Sequence, residues 1–425
     1  MPGDAELGAV LRELRTARRL TLTAVARQAR CAPALVSYVE SGHRQLQPWL
    51  ADELDRIYGT GGVVTSLFRG VGGAPKENLG LGVPGSDVFV VSLPPGGVLM
   101  PLSRRELLAA LGVGIVGGTL QGKFERALDS IEPDSDLLRY FGEAFNGFQE
   151  AARMLPPRRL MDGLLGNIAI LDGLRRRAGK RDRVPYSILE ARYAESLSWL
   201  SEEAGDLPGA IYWIDRASQW AQIANWSAMT HYNFVRRSMI VISFSGDGRR
   251  AIEQARNVLD MSDASPRMKG LAAKQMAFGY ALARDRDASH HTLDEAIRWL
   301  AQPPREDDAL LGQRSVVDDD LFAIFQTTCD IYLGHGALAI PVLEPRLASL
   351  SKSSVRTATI TRAKLARAYA NTGHPAEACR LSWETLHAIE QIGSLSARSE
   401  LRRTLRVLDQ WHGRSDVQEI MRQLD

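Results

Sequence analysis

Apolar residues recur at three- and four-residue intervals over most of this chain, the spacing that gathers them on one side of a helix. Near the N-terminus Leu7, Val10, Leu11 and Leu14 form one such stripe within Glu6 to Arg18. Val25, Ala26 and Ala29 form a second, Val36 and Val39 a third, and Leu50, Leu54 and Ile57 a fourth. Thr21 precedes the second stripe as a capping residue, and Pro33 stands near the start of the third, where a missing N–H costs nothing. Cys31 fills the turn between them; Gly42 ends the third helix as a residue that tolerates positive φ, and Pro48 opens the fourth. The pattern predicts a compact module of short helices over residues 1–60.

Periodicity then fails. GTGGVV, RGVGGAPKENLGLGVPGSD and LPPGGV are rich in Gly and Pro, so residues 61–122 read as a linker. Inside it VFVVSLP is a β-like run that either pairs locally or docks on another domain. Met100 to Gly118, MPLSRRELLAALGVGIVGG, sets Ser103-Arg104-Arg105 ahead of a short apolar run and so resembles a twin-arginine export signal. Its internal position, the lack of an A-x-A site and a run shorter than the ~20 residues that span a bilayer argue against export or anchoring. The favoured expectation is a small apolar helix, capped by Ser103 and buried against the large domain.

Beyond residue 123 the sequence is helical and repeats itself. Turns built on Gly or Asp, each followed by an Ala-anchored helix, recur at Gly205-Asp206, Gly246-Asp247, Asp285-Arg286-Asp287, Gly334-His335-Gly336 and Gly373-His374-Pro375. Their spacing is roughly 40 residues with one longer interval, the signature of stacked helical hairpins. Tyr193, Trp199, Tyr212, Trp213, Trp220, Trp226, Tyr232 and Phe234 fall mainly at core spacing and read as packing between helices. Residues 123–425 are thus expected to form an α-helical solenoid.

Composition narrows the partners. A chain of 425 residues needs two or three domains, and 45% hydrophobic with 24% charged residues suits a soluble globular protein. The net charge is only +2, so any nucleic-acid surface must be local; Arg12, Arg15, Arg18, Arg19, Arg27 and Arg30 cluster where one would lie. Three distant cysteines offer neither a disulfide framework nor metal-ligand spacing, and Met1 to Ala9 carries no secretory pattern, so a cytoplasmic setting is expected.

No P-loop, no GxGxxG after a strand and no nucleophile elbow occurs, so neither catalysis nor a cofactor is expected. His290 and His291, near Asp287 and Asp294, point to different helix faces, which argues against a metal site. Asp318-Asp319-Asp320 reads as the acidic first turn of the helix LFAIFQTTCDIYL, and Arg175-Arg176-Arg177 as the basic end of another. On the solenoid's inner face the best polar candidates for holding a ligand are Asn233, Arg236, Arg237, Arg362 and Asn371, since Asn holds peptide backbone and Arg a carboxylate.

Residues 7–59 resemble a Cro/CI-type, lambda-repressor-like helix-turn-helix domain of the xenobiotic-response-element class. The matching residues are LRELR at 11–15, LTLTAVA at 20–26, PALVSYVESG at 33–42 and the Pro48 helix. The resemblance implies an ion pair between Arg15 and Glu40, a DNA-reading helix with Pro33, Ala34, Ser37 and Tyr38 outward, and phosphate contacts from Arg27, His43 and Arg44, with Thr23 in the same surface. Two positions depart from the family: Leu22 stands where Gln usually contacts phosphate, and Ala32 where Ser or Thr often caps. No Arg, Asn or Gln lies on the reading helix, so bidentate base contacts are missing from it.

LARAYANTGHPAEA is similar to a tetratricopeptide repeat, and VESGHRQLQPWLADELDRIYGTGG looks like actinobacterial helix-turn-helix regulators. These resemblances imply a regulator that binds an operator in double-stranded DNA as a homodimer. Its solenoid would receive a peptide, a small molecule or a partner protein, and no membrane is involved. The alternative is an interaction scaffold that uses a degenerate helix-turn-helix as a docking module.

Overall fold

The computed structural model describes residues 8, 11–12, 15–16, 20–58, 64, 81–82, 88–93, 98–103, 133, 135–309, 311–312 and 321–424. Two compact units divide the chain: residues 1–138 with 161–186, and residues 139–160 with 187–425.

The first unit opens with residues 8, 11–12 and 15–16 in helical conformation. Helices α1 (Leu22–Gln28), α2 (Pro33–Glu40) and α3 (Pro48–Tyr58) follow. The predicted stripes meet in one core, where Leu11, Val25, Ala26, Val36, Val39, Leu50, Leu54 and Tyr58 are all buried. Val64 joins them, so the packed module reaches past Tyr58.

The expected linker is not wholly unstructured. β1 (Leu81–Gly82), β2 (Val88–Leu93) and β3 (Val98–Ser103) form an antiparallel sheet in that order, with Val88 opposite Ser103 and Leu93 opposite Val98. The β-like run therefore pairs locally, and Pro101 is tolerated because β3 is an edge strand. Ser103 is the last residue of that strand, and residues 104–132, on which the expected apolar helix falls, lie outside the described residues. Helix α5 (Arg158–Arg177) ends in the predicted basic turn, where Arg175 and Arg176 also pair with the buried Asp172 at 2.5 and 2.9 Å.

The second unit is helical throughout its described residues. Helix α4 (Ser135–Ala151) belongs to it from residue 139 on, and α6 (Arg183–Glu203) leads into a run of hairpins. The hairpins pair α6 with α7 (Leu207–Ile223), α8 (Ser227–Phe244) with α9 (Gly248–Leu259), and α10 (Pro266–Leu282) with α11 (Arg286–Leu300). Helices α12 (Leu321–Leu333) with α13 (Gly336–Ser353), and α14 (Val355–Asn371) with α15 (Pro375–Ile392), continue the series; α16 (Leu395–Leu408) and α17 (Ser415–Leu424) end it. The predicted turns are the hairpin turns. Gly205, Gly246, Gly334 and Gly373 take left-handed φ, and Arg284 adopts the same conformation at φ 65° before Asp285. Asp206, Asp247 and Asp285 then cap α7, α9 and α11 by accepting from the backbone N–H three residues on. The longer interval falls in residues 301–320, part of which lies outside the described residues, the acidic run Asp318–Asp320 included.

The unit also returns on itself. The Arg356 guanidinium donates to the carbonyls of Ala152, Leu155, Ile392 and Gly393 and to Glu203, at 2.8–3.1 Å. Ser394 and Ser396 donate to the same Glu203 carboxylate, and Ser399 donates to the Ser243 carbonyl at 2.6 Å. Helices α14 and α16, late in the chain, are thus bonded to α4's end, α6 and α8.

Candidate nucleic-acid interface

Local chemistry sets the two-helix motif. Thr21 Oγ1 accepts from the Ala24 N–H at 3.1 Å and starts α1. The turn after it passes through Arg30 at φ 51°, a conformation that costs a non-glycine residue about 1 kcal/mol or more. Cys31, half-buried against the core, donates its N–H to the Ala26 carbonyl, and burial pushes its thiol up. Helix α2 begins without a side-chain cap, since Ala32 has no oxygen to offer, and Pro33 partly compensates by removing one N–H that would need a partner. Gly42, at φ 72°, reverses the chain. The N–H groups of His43 and Arg44 then both reach the Tyr38 carbonyl, at 2.9 and 3.1 Å.

Glu40 fixes the helix from within. Only 3% of its side chain is exposed, and Arg15 grips it with both arms, Nε to Oε1 at 2.7 Å and Nη2 to Oε2 at 2.9 Å. Arg15 also donates to the Leu20 carbonyl, tying the first helical residues to the entry of α1. The hydrogen bonds that the Arg15 guanidinium donates to Glu40 raise its pKa above the ordinary value. The implied ion pair is present, and its burial makes it structural.

What remains outside is an exposed strip. Thr23 and Arg27 lie one turn apart on α1, both exposed. On α2, Pro33, Ala34 and Tyr38 are exposed and Ser37 is half-buried. Tyr38 is 54% exposed, its ring 6.5 Å from that of His43, whose Nδ1 lies 2.8 Å from Ser41 Oγ. Because the His43 and Arg44 backbones hang on Tyr38, the loop presents both side chains beside the end of α2. Arg27, Arg30 and Arg44 make no ion pair among the described residues, whereas Arg12 and Arg15 face Glu40 and Arg56 pairs with Glu53. The arginine cluster in the sequence therefore divides into cations that hold the fold and cations left for a partner; Arg18 and Arg19 lie outside the described residues.

Residues 6–68 match the family described as a helix-turn-helix domain. The N-terminal module is a helix-turn-helix domain. A comparison with curated proteins gave no match to the chain. The helix-turn-helix domain supports a DNA-binding regulator, with α2 as the helix that such domains lay in the major groove. On this helix-turn-helix the sequence reading did not single out Arg30 as a contact, nor Trp49, which is 46% exposed at the start of α3. A turn flanked by AR and CA gave no sign that an arginine, not a glycine, would take the left-handed position.

Of the five residues expected to line an inner ligand face, four have partners on neighbouring helices. Asn233 is buried, and its amide donates to the Ile214 carbonyl and Asp215. Arg236 is 1% exposed and bonded to Glu202 at 2.6 Å. Arg237 pairs with Asp215, and Asn371 donates to the Ile331 carbonyl. These four tie neighbouring helices together, which their spacing in sequence could not reveal. Arg362 differs: it pairs with Glu384 at 3.3 Å and borders a groove of about 490 Å³ with Trp383 and His387. His290 is half-buried and His291 exposed, on different sides of α11. Among the described residues no helix is long and apolar enough to cross a membrane.

Proposed function

We propose that this protein is a transcriptional regulator that binds operator DNA through the exposed strip of α1, α2 and the loop after it. One observation carries the reading: Arg27 and Arg44 are exposed and unpaired on either side of α2, while the arginines behind it are consumed by Glu40. Arg27, Arg44 and His43 hold phosphates and set the register; Ala34 touches a thymine methyl, and Ser37 and Tyr38 make single hydrogen bonds to base edges. Such contacts are worth less than bidentate pairs of about 1–3 kcal/mol each, so sequence preference is soft and a single half-site is weak. A homodimer on two half-sites, built through the helical hairpins, makes up the affinity. The hairpins, tetratricopeptide-like in their turns and spacing, receive a peptide, small molecule or partner protein, and the chain performs no catalysis. It acts in the cytoplasm, as regulators of actinobacterial type do.

Fluorescence anisotropy with labelled genomic fragments tests the DNA surface. The double variant Arg27→Glu with Arg44→Glu is expected to weaken binding at least tenfold and to flatten the salt dependence by about two phosphate contacts. Unchanged affinity would remove this face from DNA binding. A second reading, a protein scaffold that keeps the module for docking, is favoured by the absence of Arg, Asn and Gln from α2; it predicts no salt-dependent binding to any fragment.

A further inference from the structure

The groove of about 490 Å³ lies between α14 and α15, and short side chains open it. Ala358 and Thr359, both buried, line it one turn before Arg362 and are too small to fill the space between the two helices. Two turns of α14, from Val355 to Arg362, border it over a length of about 10 Å. Its volume falls in the range of small-molecule sites, about 300–1,000 Å³.

One end of the groove carries paired charge. Arg362 and Glu384 meet there at 3.3 Å, Nε to Oε2, and both line the space together with Trp383. Charge is balanced: Arg362 and Arg380 stand against Glu377 and Glu384, and Arg380 donates to both carboxylates. Hydrogen bonding is not. Arg362 makes no hydrogen bond among the described residues, and its buried Nε lacks one even beside Glu384. Glu384 accepts from Arg380 through Oε1 and leaves Oε2 without a hydrogen bond. A guanidinium has five N–H donors and a carboxylate oxygen two lone pairs, so the pair offers donors and an acceptor side by side.

A carboxylate ligand would meet Glu384 as a like charge, and an ammonium would meet Arg362 as one. An uncharged group with a carbonyl and an N–H on one edge, the cis-amide of a lactam ring, answers both. Its oxygen accepts from Arg362 and its N–H donates to Glu384 Oε2. Ordinary peptide backbone does not, because a trans amide points its C=O and N–H opposite ways. Trp383, half-buried, gives a flat ring an aromatic surface to lie on. His387 continues that wall one turn later, its ring 6.2 Å from the indole and its Nδ1 held 3.0 Å from the Trp383 carbonyl.

We propose that this end of the groove binds an uncharged flat heterocycle whose edge sets a carbonyl beside an N–H, as guanine and hypoxanthine do. Arg362 and Glu384 read that edge, and Trp383 takes the ring. The assignment rests on the reading that the hairpins receive a small molecule, and it names that molecule's chemistry.

Guanosine and inosine are the probes, titrated into the full chain without DNA and followed by binding heat and saturation-transfer NMR. Saturable binding of at least one is expected. Arg362→Met should weaken it at least tenfold, and so should a methyl group on the ring N–H, tested with 1-methylguanosine or 1-methylinosine. Glu384→Leu should lose the nucleoside and gain benzoate, which the native chain refuses. The methylated probes act on the native chain, so a variant that fails to fold leaves the test intact. Binding of neither nucleoside, equal binding of the methylated forms, or benzoate binding that Arg362→Met removes from the native chain would overturn the assignment. Nucleoside binding that leaves DNA affinity unchanged would keep the site and remove the sensing role. Absent nucleoside binding would remove the site and leave the anisotropy test of the DNA surface untouched.

Discussion

Glu40 meets Arg15 through two short bonds and Arg12 only at 3.8 Å, so one substitution there releases chiefly one cation. Glu40→Gln keeps the shape and one acceptor but leaves the Arg15 guanidinium without its counter-ion inside the module. Removing one partner of a buried pair costs more than the pair contributes; with Arg15 still 13% exposed, a loss of about 2 kcal/mol is expected. Urea unfolding of the native and variant chains measures it. Lys274 carries a prediction of opposite kind. Burial, reinforced by Lys364 from α14, Arg267 on its own helix and Arg236 from α8, lowers its pKa from 10.5 to about 8, and burial lowers Lys364 as well. Between about 8 and 10.5 the unfolded chain therefore holds the Lys274 proton more tightly than the folded one, so stability from this group rises with pH across that window. Below it the buried charge counts against folding in full. Lys274→Met should be more stable than the native chain near pH 7, and the gap should close toward pH 10.5.

At the scale of elements, the close approaches between hairpin helices are the sharpest constraint. A Cβ on Gly248, at the start of α9, would stand 2.2 Å from the Gly279 carbonyl of α10, and one on Gly279 would stand 2.7 Å from the Gly248 carbonyl. Backbone on both sides leaves neither helix room to yield. Gly248→Ala is expected to cost about 2 kcal/mol or more, read as a fall in Tm, whereas Ala at Gly166, where nothing crowds the position, should be neutral or better. Elements of this kind were largely legible in the sequence. Val25, Val36 and Leu54 marked the first module's core, and Gly205, Gly246 and Gly373 marked the hairpin turns, because apolar period and positive φ are local properties. The sheet was half visible: VFVVSLP has the right residue types, but its partner VLMPLS contains a proline and looks like linker. The ligand candidates were not legible. Asn233 and Arg236 look like surface residues in HYNFVRRSM, and only the carboxylates of α6 and α7 that come to meet them show that they are interior ties.

Across the second unit, the ties between early and late helices decide how it holds together. A row of hairpins that touched only their neighbours would fray from its ends, each repeat with its own stability. Here Arg356 spends its guanidinium on partners from Ala152 to Gly393, and Glu203 gathers Arg356, Ser394 and Ser396. Arg356→Lys keeps the charge but loses the planar fork, leaving several buried carbonyls without a donor. An expected cost of about 3 kcal/mol or more should appear as earlier unfolding of the whole unit in a denaturant titration, with no separate loss of the last helices.

Those ties also set a timetable for making the protein. Ser394 is 191 residues beyond the carboxylate it serves, a delay of roughly ten to forty seconds at about 5–20 residues per second of synthesis. Until Arg356 is made, a growing chain carries Glu202 and Glu203 in a half-built interior, with Arg236 already present for the first and neither Arg356 nor Ser394 yet present for the second. The ties of the second unit are therefore completed only once Ser394, Ser396 and Ser399 have been made. Products that stop before Arg356 should be recognised by proteases as unfinished, and a pulse-chase of chains cut short there should show them lost faster than chains that carry residues 356–399.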